Sequence, residues 1–233
     1  MNKGVCAVVG AGPGIGAAVA RRFAAEGYQV ALCARSEQKL RDISAGIGGS
    51  HVFPYDVRDP DAAARVFARI RKQLGAVAVL VYNAGAGAFA NIDDATLEDF
   101  QSAWEVNCRG LFLAVKAVLP DMRAAGAGNI VVTGATASIK GGANFVPFAS
   151  AKAAQRSLAQ SLARYLGPRR IHVSYVIVDG VVDLKSTRQR MRGKPDEFFM
   201  QPAQIAESMY FLTQQPSQAW TFELDLRPFA EKW

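Results

Sequence analysis

A chain of 233 residues, half of them hydrophobic, has room for one large α/β domain with a sizeable core and no need of covalent staples. Cys6, Cys33 and Cys108 are scattered without a Cys-x-x-Cys pair; this argues against a disulfide framework or a metal site and points to a reducing, cytoplasmic setting. The net charge of +7 is spread along the chain with no recognition-helix pattern or aromatic-interleaved basic stretch, and no apolar run approaches the roughly 18 residues of a membrane span, so neither nucleic acid nor membrane is an expected partner.

In chain order, apolar runs of strand length occupy 5–10, 29–34, 51–54, 77–82, 129–134 and 171–178, with a last one at 220–226. The first begins early enough to leave no room for a signal peptide before it. Helical patterns lie between them at 15–26, 37–46, 60–74, 96–125, 147–166 and 202–213. Strand and helix in regular alternation predict an α/β fold, a doubly wound parallel sheet with helices on both faces. The strands read as near-continuous apolar runs, as strands covered on both faces do. No linker or repeat divides the chain, so residues 1–233 form a single domain. The stretch 184–200, LKSTRQRMRGKPDEFFM, lacks clean periodicity and is expected to be a long loop or a mobile helical excursion.

The first chemical signal is VVGAGPGIGAAVARRFAAEG at 8–27. Gly10, Gly12, Gly14 and Gly16 fall between a strand and a helix, where glycine permits a tight turn and lets backbone N–H groups approach a pyrophosphate at the helix start. The strict G-x-G-x-x-G spacing fails because Ile15 stands at its last position; G-x-x-x-G-x-G fits. The second signal is the end of the next strand, ALCARS. An NAD site places an acid about 20 residues after the glycine turn to bind the ribose 2′-hydroxyl. No acid occurs there, and Arg35 is suited to a 2′-phosphate, so NADP(H) is favoured over NAD(H).

With these features in place the chain resembles the short-chain dehydrogenase/reductase family over nearly its whole length. The resemblance rests on Gly10-x-x-x-Gly14-x-Gly16, Asp56-Val57, Asn83-Ala84-Gly85, Asn107 in WEVNCRG and Lys152 in ASAKAA. It implies a seven-stranded Rossmann sheet holding a nicotinamide cofactor and an NADP(H)-dependent oxidoreductase of a carbonyl or alcohol. By position, Asp56 and Val57 would touch adenine, Asn83 would steady the central strand, and Ala84 and Gly85 would pass beside the cofactor riboses. Lys152 would bond the nicotinamide ribose, and Asn107 would hold a water that relays protons to it. The resemblance also implies a homodimer or homotetramer built on the helices at 96–125 and 147–166.

The departures from the family pattern bear on chemistry. A tyrosine four residues before the lysine gives the substrate its proton in that family; here the position is Phe148. A serine 13 residues earlier polarises the carbonyl; here it is Ala135. Val9 replaces a threonine before the first glycine, and VDG at 178–180 replaces a Pro-Gly pair. Thr136 and Ser138 follow Ala135 closely, and Thr136 is the better substitute for the serine. For the proton three sources stay open: Lys152, directly or through the Asn107 water; Asp179; or an acid on the substrate. The alternative is a non-catalytic NADP(H)-binding protein serving as a sensor or assembly platform, in which Lys152 is a cofactor contact and Phe148 an apolar wall. Lys185, Arg188, Arg190, Arg192 and Lys194 in the 184–200 stretch suit a small, anionic substrate.

Overall fold

The computed structural model describes residues 3–230. Seven strands make one sheet: β1 (Val5–Val9), β2 (Gln29–Ala34), β3 (Ser50–Pro54), β4 (Val77–Tyr82), β5 (Gly128–Ala135), β6 (Ile171–Val178) and β9 (Glu223–Leu226). Two short strands, β7 (Val181–Val182) and β8 (Phe199–Met200), pair separately. The order in the large sheet is β3-β2-β1-β4-β5-β6-β9, and every pairing is parallel.

Parallel strands need crossovers, and helices supply them on both faces. Side chains alternate across a strand, so Val5, Ala7 and Val9 of β1 enter one core while Cys6 and Val8 enter the other. The first core is closed by α3 (Ala62–Leu74), α5 (Gly110–Ala125) and α6 (Val146–Leu166), the second by α1 (Ile15–Ala25), α2 (Glu37–Ser44) and α8 (Pro202–Thr213). From β1 the chain winds outward to β3, then returns to β4 and winds the other way. The strand order thus reverses between β1 and β4, which opens a crevice at their carboxyl ends.

One expectation is corrected. The predicted helix over 96–125 is two helices, α4 (Leu97–Trp104) and α5, joined by a π turn at Glu105–Arg109. A capping box between Thr96 and Asp99 starts α4. At the far side of the turn, a Cβ on Gly110 would lie 2.2 Å from Tyr82 Oη, so α5 approaches β4 as closely as only glycine permits. The Tyr82 hydroxyl donates to the Val106 carbonyl inside the turn. Hydrophobic periodicity carries no mark of such a local widening.

The stretch 184–200, expected as a long loop or a mobile helical excursion, holds a short helix, α7 (Lys185–Arg190), a 3₁₀ turn at Asp196–Phe198, and β8. Its organiser is Arg188, which donates to Asp183 Oδ1 at 2.7 Å and Asp196 Oδ1 at 2.6 Å and lies 4.0 Å from the Phe199 ring centroid. The order comes from these charge pairs rather than from an apolar face, which is why periodicity misses it. Among the described residues, no helix is long and apolar enough to cross a membrane.

Candidate cofactor cleft and active site

The glycine turn fills the crevice at the end of β1, and each glycine has its own reason. Gly10 has φ +89°, and a Cβ there would meet Ala84 N at 2.3 Å. A Cβ on Gly16 would meet Gly10 O at 2.5 Å, so this glycine lets α1 close against the turn. A Cβ on Gly14 would strike Leu184 Cδ2 at 2.5 Å, which brings the start of α7 over the turn. At Gly12 nothing lies within 4 Å: this position faces open space. Beside it, helix geometry leaves the N–H groups of Ile15 and Gly16 in the first turn of α1 without intrahelical acceptors. Donors, helix dipole and open space together make a cradle that fits a pyrophosphate.

A cleft of about 280 Å³ continues from there. Its lining includes Gly10, Gly12, Arg35, Asp56 and Val57, and on the other side of the crevice Asn83, Ala84 and Gly85. Arg35 is exposed at the end of β2, suited to an anion. Asp56 belongs to a fixed pair that sequence reasoning missed: Arg58 Nη2 donates to Asp56 Oδ2 at 2.7 Å, and Arg58 N to Oδ1 at 2.9 Å. The Arg58 guanidinium holds the Asp56 carboxyl below the usual carboxylate range, with a smaller contribution from the Arg35 charge. Asn83 ties three strands together: its N–H reaches Val9 O at 2.7 Å, its Nδ2 reaches Gly10 O at 2.8 Å, and its Oδ1 accepts from Thr133 Oγ1 at 3.0 Å.

The other end of the site is built on α6 and the ends of β5 and β6. Phe148 lies one helical turn before Lys152 and packs edge-on against Phe89, with ring centroids 5.4 Å apart; Phe145 joins Phe89 at 5.2 Å. Lys152 is 5% exposed. Its Nζ donates to Thr133 O at 2.9 Å and to Gln155 Oε1 at 3.0 Å, and lies 5.9 Å from the Phe148 ring centroid. An ammonium has three donors, and these bonds place two. Burial pulls the Lys152 pKa down to about 7.

Asn107 sits in the π turn, fully buried. Its Nδ2 donates to Ala103 O at 2.8 Å and Ala86 O at 3.0 Å, and its main-chain carbonyl accepts from Gln155 Nε2 at 2.7 Å. Its Oδ1 has no partner among the described residues. The Gln155 side chain spans the main-chain route from Asn107 to Lys152, along which the family resemblance implies a relaying water. Gln155 is the second residue that sequence reading passed over; its spacing of three from Lys152, on one helical face, was the available signal.

Of the hydroxyls near Ala135, Ser138 donates to the Ala135 carbonyl at 2.7 Å and serves its own turn. Thr136 donates its proton to Asp179 Oδ1. Asp179 Oδ2 pairs with Arg227 Nη2 at 3.2 Å. Sheet register explains the meeting. Ala135 pairs with Val178, and Val178 with Leu226, so Thr136, Asp179 and Arg227 are each the next residue beyond three aligned strand ends. Among the described residues, no hydrogen bond joins this group to Lys152, and no cluster of three or more His, Cys, Asp or Glu could hold a metal.

Comparison with known proteins agrees with this geometry. The family model described as short chain dehydrogenase matches residues 4–194. The human 3-oxoacyl-[acyl-carrier-protein] reductase is 29% identical over 222 residues, covering 93% of each chain. A short-chain dehydrogenase from Rhodopseudomonas palustris superposes with a TM-score of 0.83 at 35% identity, over 97% of this chain and 99% of that one. An alcohol dehydrogenase from Thermococcus sibiricus, complexed with 5-hydroxy-NADP, gives 0.88 at 28% identity over 100% and 99%. With its glycine turn, its parallel seven-stranded sheet and this match, the chain belongs to the short-chain dehydrogenase/reductase family of oxidoreductases.

Proposed function

We propose that this protein is an NADP(H)-dependent oxidoreductase of a small carbonyl or alcohol substrate, in which Lys152 supplies the proton that a phenol would otherwise give. The observation that carries the reading is the buried Lys152 ammonium beside the Phe148 ring, with two N–H groups bonded and the third unassigned. When bound, the nicotinamide supplies or takes a hydride. The chain's own residues do the rest. Ile15 and Gly16 N–H groups hold the pyrophosphate, Arg35 the 2′-phosphate, and Ala84 and Gly85 border the riboses. The third N–H of Lys152 bonds a ribose hydroxyl and passes one proton through that hydroxyl to the alkoxide, leaving a neutral amine. A donor with a pKa near the working pH is effective in this role. Thr136, its proton committed to Asp179, presents lone pairs and orients a substrate hydroxyl as an acceptor. The 5-hydroxy-NADP complex of the Thermococcus enzyme and the NADP complex of a metagenomic short-chain oxidoreductase support the choice of cofactor.

The test is the rate of NADPH oxidation with a reactive dicarbonyl between pH 5.5 and 9. With Lys152 as donor the rate falls as pH rises through about 7, and Lys152→Met removes it at saturating NADPH. A flat profile, or loss of the rate in Asp179→Asn with Lys152 intact, overturns the assignment. A second reading has its own observation: Phe148, Phe89 and Phe145 wall the site with rings and offer no hydroxyl. Tight NADPH binding by calorimetry without any hydride transfer selects this reading, a cofactor-binding sensor or platform.

Exposed surfaces support one substrate class and one mode of assembly. Arg188 is engaged within its segment, while Lys185, Arg190 and Arg192 are exposed and favour an anionic substrate, whose binding then weakens with salt. Leu97, Phe100 and Trp104 form an exposed apolar stripe on α4, continued by Phe112 on α5. This stripe suits a second copy of the chain in a dimer or tetramer; sedimentation showing only monomer at micromolar concentration would exclude it.

A further inference from the structure

Gln155 is the one fully buried glutamine side chain among the described residues, at 0% exposure. Burying an amide is costly unless its polar atoms are paired. Here they are: Oε1 accepts from Lys152 Nζ at 3.0 Å and from Tyr175 Oη at 3.3 Å, and Nε2 donates to Asn107 O at 2.7 Å. Three partners in a buried polar pocket are what a structural water typically uses, and the amide of Gln155 takes all three. An aliphatic side chain of this size would leave the lysine donor and the asparagine carbonyl short of a partner in the core. Behind this bridge lies the π turn. Ahead of it, Lys152 bonds the carbonyl of Thr133, whose hydroxyl donates to Asn83 in the cleft lining, and Phe148 stands one turn away.

We propose that Gln155 is a positioning residue for Lys152: its side chain stands in for a bound water, fixes the ammonium toward the cleft, and closes the solvent route to it through Asn107. The idea rests on reading Lys152 as a cofactor-side group, and its consequence is that Lys152 gains and loses protons only through the cleft. A lysine so placed is reset between turnovers, when the cleft is open, and not through a water chain in the protein interior.

The test follows the Lys152 side chain by NMR in cofactor-free protein carrying labelled lysine, assigned with Lys152→Met. Gln155→Ala makes room for water and opens a second route beside the cleft, so the Nζ protons of Lys152 should exchange with solvent at least about tenfold faster in this variant than in the wild type. Gln155→Glu sets an anion against the ammonium and should raise the Lys152 midpoint by about 1–3 pH units, whereas Gln155→Met, which removes the acceptor, should lower it. A purely structural glutamine would change melting temperature in these variants and leave the Lys152 midpoint alone. Two results overturn the proposal: Lys152 exchange in Gln155→Ala no faster than in the wild type, or midpoints in both the Glu and Met variants equal to the wild type. Neither readout involves NADP(H), so an absence of cofactor binding would refute the functional reading above while leaving this measurement decisive in its own right.

Discussion

The two ends of the site are made of different material. At the β1–β4 crevice the work is done by main chain: a turn that only glycine can make, N–H groups at a helix start, and strands tied by Asn83. At the β5–β6 end the work depends on side-chain atoms, and there a phenyl ring and a methyl group occupy the positions where the family pattern has hydroxyls. Backbone geometry follows from the fold, so a cofactor cradle persists wherever the sheet and its glycine turn persist. A proton donor exists only where one particular atom is supplied. The contrast teaches that binding and turnover are separable here, and that each can be probed alone.

The largest expected effect adds the missing atoms. Phe148→Tyr places a hydroxyl one turn before Lys152, and Ala135→Ser restores the second. The double variant should reduce generic dicarbonyls faster than the wild type, measured by NADPH oxidation, with the full general-acid range of about 10²–10⁴-fold as the ceiling because Lys152 already supplies part of it. If the unmutated protein already reduces such substrates at about 1–10³ per second, and loses this in Asp179→Asn or Thr136→Val, then the reaction end was never deficient and the comparison breaks.

A smaller effect should appear at the other end. Arg35→Ala removes the exposed guanidinium at the cleft and should weaken NADP(H) binding by roughly 10- to 150-fold, with NAD(H) little changed, by calorimetric titration of both. Equal affinities for the two cofactors before and after the substitution would show that Arg35 does not read the 2′-phosphate.

The smallest effect concerns the junction of the two ends. The Lys152 pKa is near 7 in the folded chain against an ordinary 10.5. Below pH 7 both states carry the proton and the cost of burying it is fully present. Between the two values the unfolded chain binds more protons than the folded one, so stability rises with pH. Relative to Lys152→Met, the wild type should therefore gain at most about 1.4 kcal/mol per pH unit from pH 7 to 9 in denaturant titrations, because one pKa unit corresponds to that energy. A difference between the two proteins that stays constant with pH would mean that Lys152 is hydrated and that the bridge through Gln155 is open.

The amino-acid order by itself determined the layers. Apolar runs long enough for strands, separated by helical periodicity, are compatible with little other than a parallel sheet covered twice, and all seven strands of the large sheet lie within a few residues of the runs that predict them. The glycine turn and the missing acid after β2 were equally legible, because each is a matter of which atoms a residue has; the two absent hydroxyls were legible only against the pattern of the family that the chain resembles. What only the tertiary structure decided is where side chains meet. The register of β5, β6 and β9 sets Thr136 against Asp179 and Asp179 against Arg227, and strand register is a relation between segments that no single segment contains. The π turn that interrupts the long helix, and the charge pairs of Arg188 that order the stretch after β6, likewise arise from contacts across the fold. Gln155 shows the boundary most clearly. Its spacing puts it on the same helical face as Lys152, but only the packing of α6 against the π turn brings the Asn107 carbonyl within reach of its amide and turns a polar residue in an alanine-rich helix into a bridge.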